Sequence, residues 1–323
     1  FYINATEITS YLSTDERVGS LEVTVTIAGD FEGDEGIYAK HPKYLCAYLT
    51  AGDGTEADRI YPAVMEAEVQ FCMRVDDPVL WNAECPYTYT LVTEIVDDRD
   101  HVLNRRETVT AFRHWEIING DTCLNKRRIT FRTTAYPAGL TDHSQIEKLL
   151  GRMKHEHRNA LLISESEKTA FLENACIRYG IYLITEGEHV ESGRLLARRE
   201  WGTEEEVTGD DAAANPDFEL QLVQTGVLIE NRSIFANASE YDLYYEVTGV
   251  NGYSSSGTFP ADVPAGTSRF IDIPFDRPEE AGGYRYFAAL RLKEDTAWEK
   301  AGFEIVKVEK TILNIYERQT DPA

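Results

Sequence analysis

The sequence predicts a mainly β chain with an α/β insert: two immunoglobulin-like β-sandwiches flanking a segment of about three parallel strands. Three observations predict it. Residues 1–113 break into about seven short strand-like runs separated by turn signals, the spacing of an immunoglobulin-like sandwich. Between residues 128 and 188 the hydrophobic period changes, and strand and helix patterns alternate as βαβαβ. From Phe218 the pattern returns to β, with Pro260, Pro264, Pro274 and Pro278 marking connections.

The first sandwich opens at Phe1 inside what already reads as a strand. Residues 20–28 (SLEVTVTIA) alternate β-branched and polar side chains, the pattern of a half-buried strand. Gly29, Gly33 and Gly36 with acidic neighbours break it into a loop. Residues 43–50 (KYLCAYLT) predict a second strand, and residues 52–55 (GDGT) a hairpin turn. Residues 64–74 and 88–96 read as further strands, and 97–100 turns the chain toward a strand over 107–112. Asn119-Gly120 and Leu124-Asn125 then punctuate two short apolar runs, and residues 128–132 open a new strand.

The α/β insert begins with a strand over 129–136. Residues 144–158 have helical spacing, with Ile146, Leu149, Leu150 and Met153 on one face. Residues 159–164 (NALLIS) form a short apolar strand. Residues 168–179 form a second helix, with Gly180 as its C-terminal cap. Residues 181–185 (IYLIT) complete the set, and the alternation implies parallel strands with right-handed crossovers. Gly193, Gly202, the acidic block at 204–211 and Asn215-Pro216 read as loop or linker. Strands follow over 227–235, 242–248, 256–259, 268–273 and 284–293. The expected boundaries are 1–113 for the first sandwich, 114–200 for the α/β segment, 201–217 for an acidic linker, 218–315 for the second sandwich and 316–323 for a tail.

Composition narrows the function classes. The 323 residues are 42% hydrophobic and 27% charged, an ordinary globular balance. A formal charge of −24 repels phosphate backbones and argues against a nucleic-acid partner. No apolar run approaches the ~20 residues of a membrane span. The five cysteines are an odd number with no CxxC pair, so free thiols in a reducing, cytoplasmic compartment are expected. Phe1 is preceded by no initiator Met or signal peptide, so the chain reads as an excerpt of a longer protein.

The joint over residues 76–132 carries the most specific pattern. Pro78, Leu80-Trp81, Ala83-Glu84, Pro86 and Tyr89 are followed by Phe112-Arg113, Ile117, Asn119-Gly120 and Leu124-Asn125. This resembles the segment of the glycoside hydrolase family 2 β-galactosidases that leaves an immunoglobulin-like domain and enters the catalytic barrel. The resemblance continues through Met153-Lys154, Asn159-Ala160, Cys176 and residues 178–182 (RYGIY). It resumes at Ile229, Asn231, Phe235, Asn237, Ser239, Tyr241, Leu243 and Glu246-Val247, and at Thr296-Ala297-Trp298, Ala301-Gly302 and Glu304-Ile305. It implies that the parallel strands are a truncated (β/α) barrel segment, with a large piece of barrel absent between about Glu188 and Phe218.

The resemblance also implies where chemistry belongs. Retaining glycoside hydrolysis needs two carboxyl groups roughly 5–5.5 Å apart. In the family both glutamates come from barrel strands later than the third, and residues 189–217 are too short to supply those strands. The run Glu204-Glu205-Glu206 reads as a solvated loop. After its first three barrel strands the family carries G-x-N-x-H-E, S-H-Y-P and D-E-x-x-x-E-x-H-G. Here residues 133–138 (TTAYPA), residues 164–167 (SESE), and Thr185, Glu186, Val190, Ser192 and Gly193 stand in those places. Replacing an oxygen donor by Val190 removes a magnesium ligand, so no cofactor and no metal site are expected. No catalytic residue is assigned, and Glu186 is the weak candidate for substrate contact. His155 and His157 point to different faces of a helix, and His189 lacks a carboxylate partner. Most of the 18 Tyr and 4 Trp are expected in sandwich cores.

The expected function is a β-galactosidase-like scaffold, interaction or carbohydrate-associated module that is non-catalytic by itself. The alternative is part of a β-galactosidase acting on terminal β-galactosides, with the missing barrel supplied by another chain. A carbohydrate, and a second copy or partner chain covering the truncated barrel, are the expected partners; no nucleic acid and no membrane are.

Overall fold

A computed structural model describes residues 1–29, 31, 42–186, 217–223, 226–250, 252–273, 278 and 280–314. They divide into two compact units. The first draws on Phe1–Met153 and Arg158–Val207, the second on Lys154–His157 and Thr208–Ala323.

The first unit begins with seven strands: β1 (Tyr2–Leu12), β2 (Val18–Ala28), β3 (Pro42–Thr50), β4 (Glu56–Ile60), β5 (Glu68–Asp76), β6 (Tyr89–Asp97) and β7 (Val102–Thr110). They form two antiparallel sheets, ordered β1-β2-β5 and β4-β3-β6-β7. Alternation aims Leu21, Val23, Val25 and Ile27 of β2 inward, and Leu45, Ala47 and Leu49 of β3 toward them. With Met73, Leu91, Ile95 and Phe112 they make one core shared by both sheets, the packing of a sandwich. Each fully buried aliphatic side chain there contributes about 1.5–3 kcal/mol. The strand expected over 107–112 is the second half of the longer β7. Its first half carries Asn104, Arg105, Arg106 and Glu107 at a sheet edge, where Arg105 and Glu107 face water and Asn104 and Arg106 bond the backbone of Ile3 and Asn4, so polar side chains hide the strand pattern.

A small antiparallel meander follows: β8 (Trp115–Ile118), β9 (Asp121–Leu124) and β10 (Arg127–Arg128). Its two turns need left-handed residues, and Asn119 (φ 54°), Gly120 (φ 92°), Asn125 (φ 47°) and Lys126 (φ 63°) supply them. The meander corrects the expected strand over 129–136, which shrinks to β11 (Thr133–Ala135).

From β11 the chain runs through α1 (His143–His155), β12 (Ala160–Ser164), α2 (Ala170–Tyr179) and β13 (Tyr182–Glu186). The three strands are parallel and ordered β11-β12-β13. α1 buries the expected Ile146, Leu149, Leu150 and Met153. It stops at His155 rather than 158 because the next residues bind strand backbone. Arg158 Nη1 donates to Thr133 O at 2.7 Å, and Asn159 bridges Thr130 O and Arg132 N at 2.9 and 2.7 Å. Thr169 caps α2 by accepting from Leu172 N, and Gly180 (φ 67°) ends it. On one sheet face Leu161 and Leu183 are buried. On the other, Tyr182 lies among the rings of Trp81, Trp115 and Phe131, with centroids 5.6, 5.5 and 5.5 Å away. Thr133 and Ala135 remain exposed on that face.

The second unit has seven strands: β14 (Phe218–Val223), β15 (Gly226–Asn231), β16 (Tyr241–Gly249), β17 (Ser254–Phe259), β18 (Ser268–Asp272), β19 (Gly282–Leu292) and β20 (Glu304–Asn314). The sheets are β14-β15-β18 and β17-β16-β19-β20. Their buried residues include Leu220, Val227 and Ile229 from one sheet and Leu243, Val247, Tyr284 and Leu290 from the other. The strand expected over 227–235 ends at Asn231, whose buried side chain donates to Ala236 O and Val263 O at 2.9 and 2.8 Å and accepts from Ser233 N. The acidic linker up to residue 216 and the tail at 316–323 lie outside the described residues. Among the described residues no helix is long and apolar enough to cross a membrane.

Candidate functional site

Parallel strands followed by helices place loop side chains together at the strands' C-terminal ends, where chemistry on such sheets is found. Here those ends are Ala135, Ser164 and Glu186, and the register sets Ser164 beside Glu186. After β11, Tyr136 is buried and its hydroxyl donates to Leu140 O at 2.5 Å. Pro137 and Ala138 follow and carry no ionisable group.

After β12 the carboxylate of Glu167 turns back on the strand end. Ser164 N and Ser164 Oγ donate to Glu167 Oε2 at 3.1 and 2.9 Å, and Ser166 Oγ lies 3.0 Å from Ser164 Oγ. The Ser164 backbone donor, then its hydroxyl, hold the Glu167 carboxyl below its usual range. A general acid needs the opposite shift, so Glu167 acts as a local cap. Glu165 and Glu173 both face Lys168, at 3.9 and 3.5 Å.

After β13, Thr185 is buried and Glu186 closes the strand. The side chain of Glu186, and His189, Val190, Ser192, Gly193 and residues 204–206, lie outside the described residues. His155 ends α1 and His157 sits beyond it with φ 54°, so the two share no helix face. Among the described residues no group of three His, Cys, Asp or Glu side chains could hold a metal ion.

The recognisable motif residues build a joint instead. Trp81 is fully buried, and its Nε1 donates to Ile177 O at the end of α2 at 2.8 Å. Asn125 Nδ2 donates to Trp81 O at 3.0 Å, and Asn125 Oδ1 accepts from His114 N at 2.9 Å. Arg113 lies over the Trp81 ring at 4.9 Å. Phe112 fills the sandwich core against Gly19, where an added Cβ would stand 2.6 Å from its ring. Gly180 admits Ala83 O, which an added Cβ would meet at 2.4 Å. Burial pushes the pKa of the Cys176 thiol and of the Tyr182 hydroxyl up, keeping both neutral. The motif spacing signals this joint, whereas Arg113's unmet donors, used below, carried no signal in the sequence.

Comparison with known proteins agrees with the joint. Residues 1–113 match the family described as glycosyl hydrolases family 2, and residues 227–309 match "Beta-galactosidase, domain 4". A β-galactosidase of Halalkalibacterium halodurans is 29% identical over 121 residues, covering 35% of this chain and 12% of that protein. A β-galactosidase of Erwinia tasmaniensis is 28% identical over 181 residues, covering 54% of this chain and 16% of that protein. The chain thus spans a small part of the length of these relatives. A Parabacteroides merdae β-glucuronidase structure superposes on 57% of this chain and 24% of its own, with a TM-score of 0.50 and 18% identity, which shows shared fold alone. The chain thus carries a glycosyl hydrolases family 2 domain over residues 1–113 and a β-galactosidase domain 4 over residues 227–309, and it is β-galactosidase-like over those residues.

Proposed function

We propose that this chain is a scaffold or interaction module of the β-galactosidase type that performs no glycoside hydrolysis by itself. The observation that carries the reading is the state of the strand ends. Glu167 is committed to Ser164 and held ionised, Tyr136 spends its hydroxyl on Leu140 O, and Pro137 and Ala138 carry no acid or base. A retaining hydrolase needs one carboxyl kept protonated and a second about 5–5.5 Å away as nucleophile. Both matched family segments lie in β regions, on either side of residues 114–226. The β units are what the chain keeps, and carbohydrate contact or partner binding is the role left to them. The truncated barrel segment, three strands wide, serves to brace the first sandwich through Trp81. Free cysteines, two of them half-buried or exposed, fit a reducing compartment.

Covalent trapping tests this reading. The protein is incubated with an activated 2-fluoro-β-galactoside and its intact mass is measured. An unchanged mass is expected. A single glycosyl addition mapped to a carboxylate of this chain alone would replace the non-catalytic reading with the hydrolytic one.

A further inference from the structure

A second opening lies away from the strand ends, where β1, β7 and α2 wall a cleft of about 200 Å³. That is the space of about seven liquid waters at ~30 Å³ each, enough for a small metabolite. Thr6, Thr108, Arg113 and Asn174 line it. Three of these carry buried polar atoms with no hydrogen-bond partner among the described residues: Thr6 Oγ1, Thr108 Oγ1, and Nε and Nη1 of Arg113. All four atoms can donate. Buried donors are nearly always satisfied, so a cluster of unmet ones around one opening points to a group that accepts from them.

The charges define that group. Glu107 lies 2.7 Å from Arg105, while Glu173 shares Lys168 with Glu165 and also acts on Arg113. Arg106 spends Nη1 on the carbonyls of Ile3 and Asn4 and keeps its charge. Arg106 and Arg113 stand in the lining with Glu7, Glu107 and Glu173, and of the two cations Arg113 is the one that carries unmet buried donors. Arg113 is half-buried with one face on Trp81. Burial pulls its pKa down to about 10, which leaves it cationic at neutral pH. We propose that the cleft binds a small oxyanion, a carboxylate or phosphate group, with Arg113 as its cation and Thr6 and Thr108 as hydroxyl donors. A guanidinium offers planar paired donors suited to such a group.

Isothermal titration of the full chain with acetate and with inorganic phosphate, against chloride at equal ionic strength, tests this. Saturable binding in roughly the millimolar range is expected for at least one anion. Arg113→Met should weaken it more than tenfold, and Thr108→Val a few-fold. Arg74→Gln, which neither lines the cleft nor pairs with a lining residue, should leave it unchanged. If Arg113→Met does not fold, the double variant Thr6→Val/Thr108→Val serves in its place. No saturation beyond chloride, an Arg113→Met or double-variant affinity equal to wild type, or preferential binding of galactose would overturn the proposal.

Discussion

Gly180 combines a positive φ of 67° with a backbone oxygen where a side chain would stand. Gly180→Ala is therefore expected to destabilise the first unit by about 1–3 kcal/mol, read as a lower urea midpoint. Trp81→Phe keeps an aromatic ring but removes the donor to Ile177 O, and about 2 kcal/mol should be lost on the same scale. Asp97 supplies a pH test. Its buried carboxylate accepts from His101 N and Arg99 N at 2.8 and 2.9 Å and faces His101 Nδ1 at 3.2 Å, and these donors lower its pKa, His101 N foremost. The folded value lies below the unfolded one of about 3.9, so the stabilisation is full above pH ~4 and fades as pH falls through the folded pKa. Asp97→Asn should flatten the stability curve below pH 4; an unchanged slope would count against the assignment. The sequence showed the turn before His101 and the C-cap at Gly180. It could not show the Trp81 bond, which joins positions 96 residues apart.

Elements were legible where one pattern dominated. β2, β3 and both helices follow from alternation or helical spacing alone. β7 and β11 were misjudged for opposite reasons. β7 is polar because it is an edge strand, while Ile129 and Phe131 read as strand but pack as part of the meander's exit. α2 depends on its cap: Thr169→Ala should lower stability by about 1 kcal/mol, whereas Thr169→Ser should be nearly neutral. In the parallel sheet β12 is paired on both sides and β11 on one, so amides of residues 161–163 should exchange with deuterium more slowly than those of 133–135. Equal exchange would mean that the sheet opens as one piece.

At the scale of the whole molecule, the order of β unit, parallel α/β segment and β unit was readable because each has its own hydrophobic period. The candidate site was legible mainly as substitutions at the strand ends, and the structure adds that Glu167 is tied to Ser164 rather than free to react. The cleft beside Arg113 was not legible, because β1, β7 and α2 meet only after folding. The proposed function holds that this β-galactosidase-like chain does not hydrolyse galactosides by itself. The most direct measurement is turnover of a chromogenic β-galactoside by the purified chain at high protein concentration with magnesium present. A rate equal to that in buffer is expected. A rate proportional to protein concentration that disappears on Glu186→Gln would contradict it, and would mean that the end of β13 carries a working site.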